Sequence, residues 1–80
     1  MKNIYLIQGV LYDYTEGMVA IIASDLDECR ALFIDELANG SWSDTITKEY
    51  DLAIKENHYQ VVAVGDDEQS RVVSYVYGGG

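Results

Sequence analysis

Two apolar runs near the start of the chain constrain the fold more than any other feature of the sequence. Residues 4–12 are apolar on both alternating faces and rich in strand-forming residues, which predicts a strand buried on two sides. The polar segment 13–17 is short and ends in glycine, and residues 18–23 resume the apolar pattern. The two runs therefore predict a β-hairpin whose first strand is central in a sheet.

A helix is predicted after this hairpin. Ser24 is a candidate N-cap residue with Asp27 three positions later, and Asn39 and Gly40 provide a left-handed stop near residue 38. Between these signals, apolar residues recur at the spacing of one helical face. This expected buried stripe consists of Leu26, Cys29, Phe33 and Leu37.

The segment 44–56 fits either a strand or a helix. We predict a strand, because the residues alternate in polarity and the β-branched Thr45 and Thr47 disfavour a helix. A helix is the competing interpretation, since Asp51 and Lys55 are spaced as a helical ion pair. The apolar residues that fit a helix are Ile46, Tyr50, Ala53 and Ile54, and those that fit a strand are Ile46, Tyr50, Leu52 and Ile54.

Two further strands are predicted over residues 59–64 and 71–77, joined by an acidic turn at 65–70 that closes a hairpin. The chain should then end in a flexible glycine tail over residues 78–80. The pattern as a whole predicts one α+β domain over residues 1–77. Its antiparallel sheet of four to five strands, in the order ββαβββ, has one helix packed across it.

The chain is strongly acidic, with 14 Asp and Glu against 5 Lys and Arg and a formal net charge of −9. Such a charge repels nucleic-acid phosphates and anionic membranes, and it steers the protein toward a basic surface on another macromolecule. The apolar content of 49% is too high for an acidic disordered tail, so the chain should fold. We therefore expect a partner protein with a basic surface, and no direct binding to nucleic acid or membrane.

No residue pattern indicates an enzyme. His58 is the only histidine and Cys29 the only cysteine, so neither a metal site nor an internal disulfide is expected. Cys29 lies on the apolar helical stripe, where burial as a small hydrophobe is its expected role. The acidic run 25–28 lacks the glycine of a calcium loop, and Gly65 and the terminal glycines do not precede a predicted helix as in a phosphate loop. We expect no catalytic residue, metal or cofactor.

The carboxylates are more informative as a surface. On a helix, four of them lie together on one flank beside the buried stripe, with Leu32 among them. Acids also crowd the two predicted turns, at 13–16 and 66–68. The tyrosines at 14, 75 and 77 are suited to anchor an interface. The alternative is that these acids are only the solvated side of a small helix. The predicted partner-binding residues are Asp25, Glu28, Leu32, Asp35, Glu36, Tyr14, Asp66, Asp67 and Glu68.

This combination of size, charge and layout resembles the small acidic inhibitors of bacteriophages and mobile elements, which include anti-CRISPR proteins and other DNA mimics. The resemblance implies a protein that blocks the nucleic-acid-binding groove of a host defence enzyme, where its carboxylates pair with arginine guanidinium groups. It implies the host cytoplasm as the location, in line with the lack of a signal-peptide pattern or a run of ~20 apolar residues. The implied phosphate surrogates are Asp25, Glu28, Asp35 and Glu36.

A second resemblance is local. The ββα start and a last strand that runs into three glycines are similar to the β-grasp carriers, namely ubiquitin-like proteins and the sulfur carriers of thiamine and molybdopterin synthesis. This resemblance implies a carrier whose Gly80 carboxylate is adenylated. The third glycine and the aromatic Tyr75-Val76-Tyr77 lead-in depart from that pattern. A third interpretation is a structural or assembly protein whose acidity serves only solubility.

Overall fold

The structure, a computed structural model, describes residues 1–13 and 15–77, without the side chains of residues 12, 13, 15 and 16. Over these residues the protein is an α+β fold with a four-stranded antiparallel sheet and two helices. The elements in chain order are β1 Lys2–Asp13, β2 Thr15–Ala23, α1 Leu26–Leu37, α2 Ser43–Lys55, β3 Tyr59–Gly65 and β4 Arg71–Val76.

The first two strands form the predicted hairpin at the centre of the sheet, whose strand order is β3-β1-β2-β4. β1 pairs with β2 in an antiparallel register that places Tyr5 opposite Ile21 and Ile7 opposite Val19. β1 has a strand on either side, so its predicted central position is confirmed. Both strands are rich in β-branched and aromatic residues, which pack well on a pleated surface.

The last two strands lie at opposite edges of the described sheet, so the predicted hairpin between them is wrong. β3 pairs with β1 and β4 pairs with β2, both antiparallel. The connection 66–70 therefore crosses the end of the sheet past both central strands. Two contacts hold it there: the Met1 amine lies 3.0 Å from the Asp66 carboxylate, and Lys2 Nζ donates to Ser70 Oγ at 2.6 Å.

The first turn of α1 is capped by its own side chains. Asp25, not the predicted Ser24, is the N-cap residue, and its Oδ1 accepts a hydrogen bond from the Glu28 amide at 2.8 Å. Glu28 Oε1 in turn accepts from the Ser24 amide at 2.7 Å. These bonds satisfy amide groups that a helix start leaves without a partner.

α1 ends close to the predicted residue 38, but a different interaction terminates the helix. The helix ends at Leu37, and the Asn39 side-chain amide donates to the Asp35 carbonyl at 2.6 Å. Gly40 does not adopt a positive φ, so the predicted left-handed stop is wrong. An amide side chain satisfies a terminal carbonyl of the helix in its place.

Residues 43–55 form α2, so the predicted strand over 44–56, and with it the ββαβββ order and the single helix, is wrong. In the helix, Tyr50 and Ala53 are buried and Ile46 packs against the same core, while Leu52 is 53% exposed. These residues therefore follow the helical spacing of the sequence and not the alternating one. Packing of this stripe against β1 outweighs the weak local preference of β-branched threonines.

The two helices are joined by an ion pair that the sequence does not predict. Arg30 of α1 donates to both carboxylate oxygens of Asp51 on α2, at 2.8 and 3.1 Å, so Asp51 pairs across the helices and not along its own helix. The two side chains are 46% and 49% exposed, and a pair of this kind contributes at most about 1 kcal/mol. Its main effect is to set the position of one helix against the other.

The core lies between the helices and one face of the sheet. Cys29, Phe33 and Leu37 are buried, which confirms the predicted stripe, and Leu26 packs against them in part. The Phe33 ring lies 4.7 Å from that of Tyr50, centroid to centroid. Burial raises the pKa of the Cys29 thiol, as expected for a structural cysteine.

The opposite face of the sheet is covered by no helix in the described residues. Along each strand, the side chains on this face alternate with those that point into the core. The strand registers place Ile4, Leu6 and Ala20 on this face. The prediction that β1 is buried on both faces is therefore wrong for the single chain. We call this surface the open face; its apolar members are Ile4, Leu6, Met18, Ala20, Ile22, Val62 and Val76.

A β-bulge at Gly9 shifts the register within the central hairpin. Gly9 has a φ of 77°, a value that costs a residue with a Cβ atom about 1–2 kcal/mol. We expect Gly9→Ala to lower the free energy of unfolding by this amount in urea titrations. Gly40→Ala is the control, because Gly40 lacks a positive φ and has open space around its Cα. Equal effects of the two substitutions would contradict this interpretation.

Candidate protein-binding surface

The four carboxylates predicted as a surface lie on one flank of α1, at the spacing of a helical face. Arg30, on the other flank, contacts α2, whereas Glu28 contacts Ser70 at the start of β4. The acidic flank therefore faces away from α2 and borders the β4 edge of the sheet. We call this surface the acidic flank; its residues are Asp25, Glu28, Leu32, Asp35 and Glu36.

Glu28 is a structural residue within this flank. Its Oε1 accepts from Ser70 Oγ at 2.7 Å as well as from the Ser24 amide, and Ser70 accepts from Lys2. The bond from Ser70, the bond from Ser24 and the charge of Lys2 hold the pKa of the Glu28 carboxyl below its usual range. The Glu28 side chain thus links the start of α1 to the connection 66–70, which we call the crossover, and through Ser70 to β1.

This network predicts a pH dependence of stability. A carboxyl whose pKa is lowered by folding stabilises the native state at neutral pH, and that contribution is lost as the pH falls below about 4. We expect Glu28→Gln to show a smaller loss of unfolding free energy between pH 7 and pH 3 than the wild type, in urea titrations at both values. Asp35→Asn, on the exposed side of the same helix, is the control and should keep the wild-type difference. An unchanged difference in Glu28→Gln would contradict the prediction.

The other members of the flank differ in their availability. Asp25 is exposed but uses Oδ1 as the helix cap. Leu32 is only partly exposed and packs against the core, so it is not a free apolar contact inside the acidic arc. The Asp35 and Glu36 side chains are exposed. These two carboxylates are therefore the members best placed to meet a partner.

The predicted acidic turn has one end near this surface. The Ser70 contact with Glu28 brings the crossover to the start of α1. Asp66 pairs with the N-terminal amine and Glu68 with Arg71 at 3.3 Å, while Asp67 is exposed. The β4 end of the connection therefore meets the acidic flank, whereas Asp66 follows β3 at the opposite edge of the sheet. Tyr14, the remaining predicted site residue, lies outside the described residues, as does the tail 78–80.

A groove between α1 and β4 is the part of the site that sequence reasoning missed. Its volume is about 340 Å³. Tyr75 is 48% exposed, and its ring packs edge to face on Tyr77 at 5.6 Å between centroids. Tyrosines near the C-terminus were the only sequence signal for it, because the pairing of β4 with β2 beside α1 is set by the tertiary structure. The groove is lined by Glu36, Leu37, Val72, Val73, Ser74 and Tyr75.

Among the described residues, no three His, Cys, Asp or Glu side chains are grouped as metal ligands. His58 is half-exposed and lies 3.7 Å from Glu56 in the turn after α2. Neither of the two described helices is long and apolar enough to cross a membrane.

Comparison of the chain with protein family models, with curated proteins and with solved structures finds no match. Any conclusion about function therefore rests on the surface chemistry of this chain itself.

Proposed function

We propose that the protein binds a basic, arginine-rich surface of another protein through the acidic flank of α1 and the adjoining groove, and so blocks access of nucleic acid to that surface. The observation that carries the proposal is the placement of exposed carboxylates directly beside a groove with exposed aromatic rings. Glu36 belongs to both, and Tyr75 lines the groove on its other side.

The chemistry of this surface favours arginine as the group recognised. A carboxylate accepts two parallel hydrogen bonds from a guanidinium, and an aromatic face accepts its planar cation by stacking. Asp35 and Glu36 supply the first kind of contact, and Tyr75 and Tyr77 supply the second. A lysine ammonium lacks the planar fork and stacks less well, so the surface should discriminate between the two cations.

The net charge of −9 supports the same role over longer range. It repels nucleic acid and accelerates encounter with a basic groove, and both effects weaken as salt screens the charges. A protein of this charge competes with nucleic acid for a basic surface without binding nucleic acid itself. An inhibitor of a nucleic-acid-handling protein is the function that best fits this behaviour.

The test uses a defined probe, an octa-arginine peptide labelled with fluorescein, and measures binding by fluorescence anisotropy at low and high salt. We expect binding that weakens with salt, and we expect the protein to displace a short DNA duplex from the peptide. Amide shifts in NMR titrations should concentrate on residues 28–37 and 71–77. Gel-shift of the free duplex by the protein would overturn the proposal.

Two controls separate a specific site from general acidity. Octa-lysine carries the same charge, so equal affinity for both peptides would show that guanidinium recognition plays no part. The exposed α2 carboxylates of Asp44 and Glu56 are the internal control. Amide shifts there as large as those on α1 would contradict the proposed site.

A further inference from the structure

The open face carries apolar residues on all four strands, and Gln8, Gln60, Ser74 and Arg71 lie in the same rows. Register pairs align Val62, Ile4 and Ile22 in one row, and Met18 and Val76 in another. Val62 and Val76 are 52% and 58% exposed and Met18 is 36% exposed, whereas Ile4 and Leu6 are half-buried and Ala20 and Ile22 are buried by their neighbours. Monomeric proteins seldom leave a contiguous apolar surface of this kind in water.

The amino-acid pattern of the central strands is typical of strands that are buried on both faces of a sheet. An antiparallel strand with one solvated face alternates apolar and polar residues. β1 instead has Tyr5 and Ile7 toward the helices and Ile4 and Leu6 toward the open face. The helices of one chain account for only one of these two apolar sets.

Charge identifies the kind of molecule that fits this face. None of the described Asp and Glu side chains belongs to its rows, and Arg71 at one corner is bonded to Glu68 and to the Gln69 carbonyl. A basic partner therefore finds no complementary charge here, in contrast to the acidic flank. A second copy of the chain meets the face with the same apolar side chains, as a two-fold interface requires.

The area of the open face is consistent with contact between two copies of the chain. Four strands about 4.8 Å apart, each contributing about five residues at 3.3 Å, span roughly 19 Å by 17 Å. Because side chains give this surface relief, two copies together bury on the order of 1,000 Å² of accessible area. This value is below the roughly 1,200–2,000 Å² of stable interfaces and is typical of weak, reversible ones.

We propose that two copies of this chain pack their open faces together to form a face-to-face dimer in solution. The two sheets lie about 10 Å apart, as in other stacked sheets, with the helices on the outside. Both acidic flanks then remain free, and they point away from each other. The dimer would present two binding surfaces to basic partners.

Sedimentation equilibrium of the wild-type protein at several concentrations and salt levels tests the proposal. The chain has a mass of 8.9 kDa, and we expect a reversible species of twice this mass. Each copy carries a net charge of −9, so screening of the repulsion by salt should strengthen the dimer. A mass that stays at 8.9 kDa at the highest concentrations would overturn the proposal.

Two variants on neighbouring positions of β3 locate the interface. Val62 lies on the open face, whereas Val61 lies opposite Tyr5 on the helix side and is similarly exposed, at 47%. We expect Val62→Glu to weaken the dimer at least tenfold and Val61→Glu to change it less than threefold, with both variants folded by circular dichroism. Equal loss in both variants would show that the copies pair through the β3 edge and would overturn the face-to-face arrangement.

Discussion

Replacement of Phe33 by alanine should lower the free energy of unfolding by about 3–5 kcal/mol. The Phe33 side chain is completely buried, packs on the Tyr50 ring and lies between α1, α2 and the sheet. Its removal leaves a cavity that a small, close-packed core fills only in part. Because a domain of this size has only a few kcal/mol of stability, much of the variant should be unfolded at 25 °C.

Urea titration followed by far-UV circular dichroism measures this effect. Leu52→Ala is the matched control, because Leu52 is a large apolar residue on α2 that is 53% exposed. Its replacement should change the free energy of unfolding by less than about 0.5 kcal/mol. A similar cost for both substitutions would mean that the core does not lie between the helices and the sheet.

Removal of the hydroxyl of Tyr50, which packs on Phe33, should not lower the free energy of unfolding. Tyr50 Oη is buried, and apart from the weakly hydrogen-bonding Cys29 thiol beside it the hydroxyl has no partner among the described residues. Burial, the largest cause, and the neighbouring Cys29 raise the pKa of Tyr50 far above its usual range. We expect Tyr50→Phe to leave stability unchanged or to raise it by about 1 kcal/mol, since an unpaired buried hydroxyl is costly. A loss above 1 kcal/mol would show that the hydroxyl is satisfied in solution.

Reversal of two charges on the acidic flank should have the largest effect on binding. We expect Asp35→Lys with Glu36→Lys to weaken binding of the octa-arginine peptide at least tenfold, which is about 1.4 kcal/mol. Both positions are exposed, so the fold should be retained. Asp25 and Glu28 are left in place because they cap α1 and hold the crossover, and their reversal would confound binding with stability.

The matched control makes the same change in net charge on the other helix. Asp44→Lys with Glu56→Lys alters two exposed carboxylates at the two ends of α2. Long-range attraction falls equally in both double variants, so this control should weaken binding by no more than about threefold at physiological salt. Equal losses in the two variants would assign the binding to net charge alone.

Local patterns were sufficient for the elements near the start of the chain. The hairpin of β1 and β2 and the buried stripe of α1 follow from apolar periodicity over short stretches, and the structure confirms both. The placement of the acids along one side of α1 also follows from helical spacing. These features depend on neighbouring residues and on the geometry of one element.

The segment 44–56 shows where that reasoning fails. Its apolar residues satisfy the period of a strand and that of a helix almost equally, and the threonines tip the local preference toward a strand. The structure selects the helix because Tyr50 and Ala53 then enter a core that the rest of the chain has built. Only the tertiary context contains that information.

The sequence by itself determined the charge, the central hairpin and the apolar stripe of α1, because each is a property of composition or of short-range periodicity. The tertiary structure decided that β3 and β4 lie at opposite edges, that the acidic flank borders β4, and that within residues 1–13 and 15–77 no helix packs on the second face of the sheet. These outcomes depend on pairing between residues far apart in the chain. Such pairing is set by which arrangement buries the most apolar surface, and no local pattern records it.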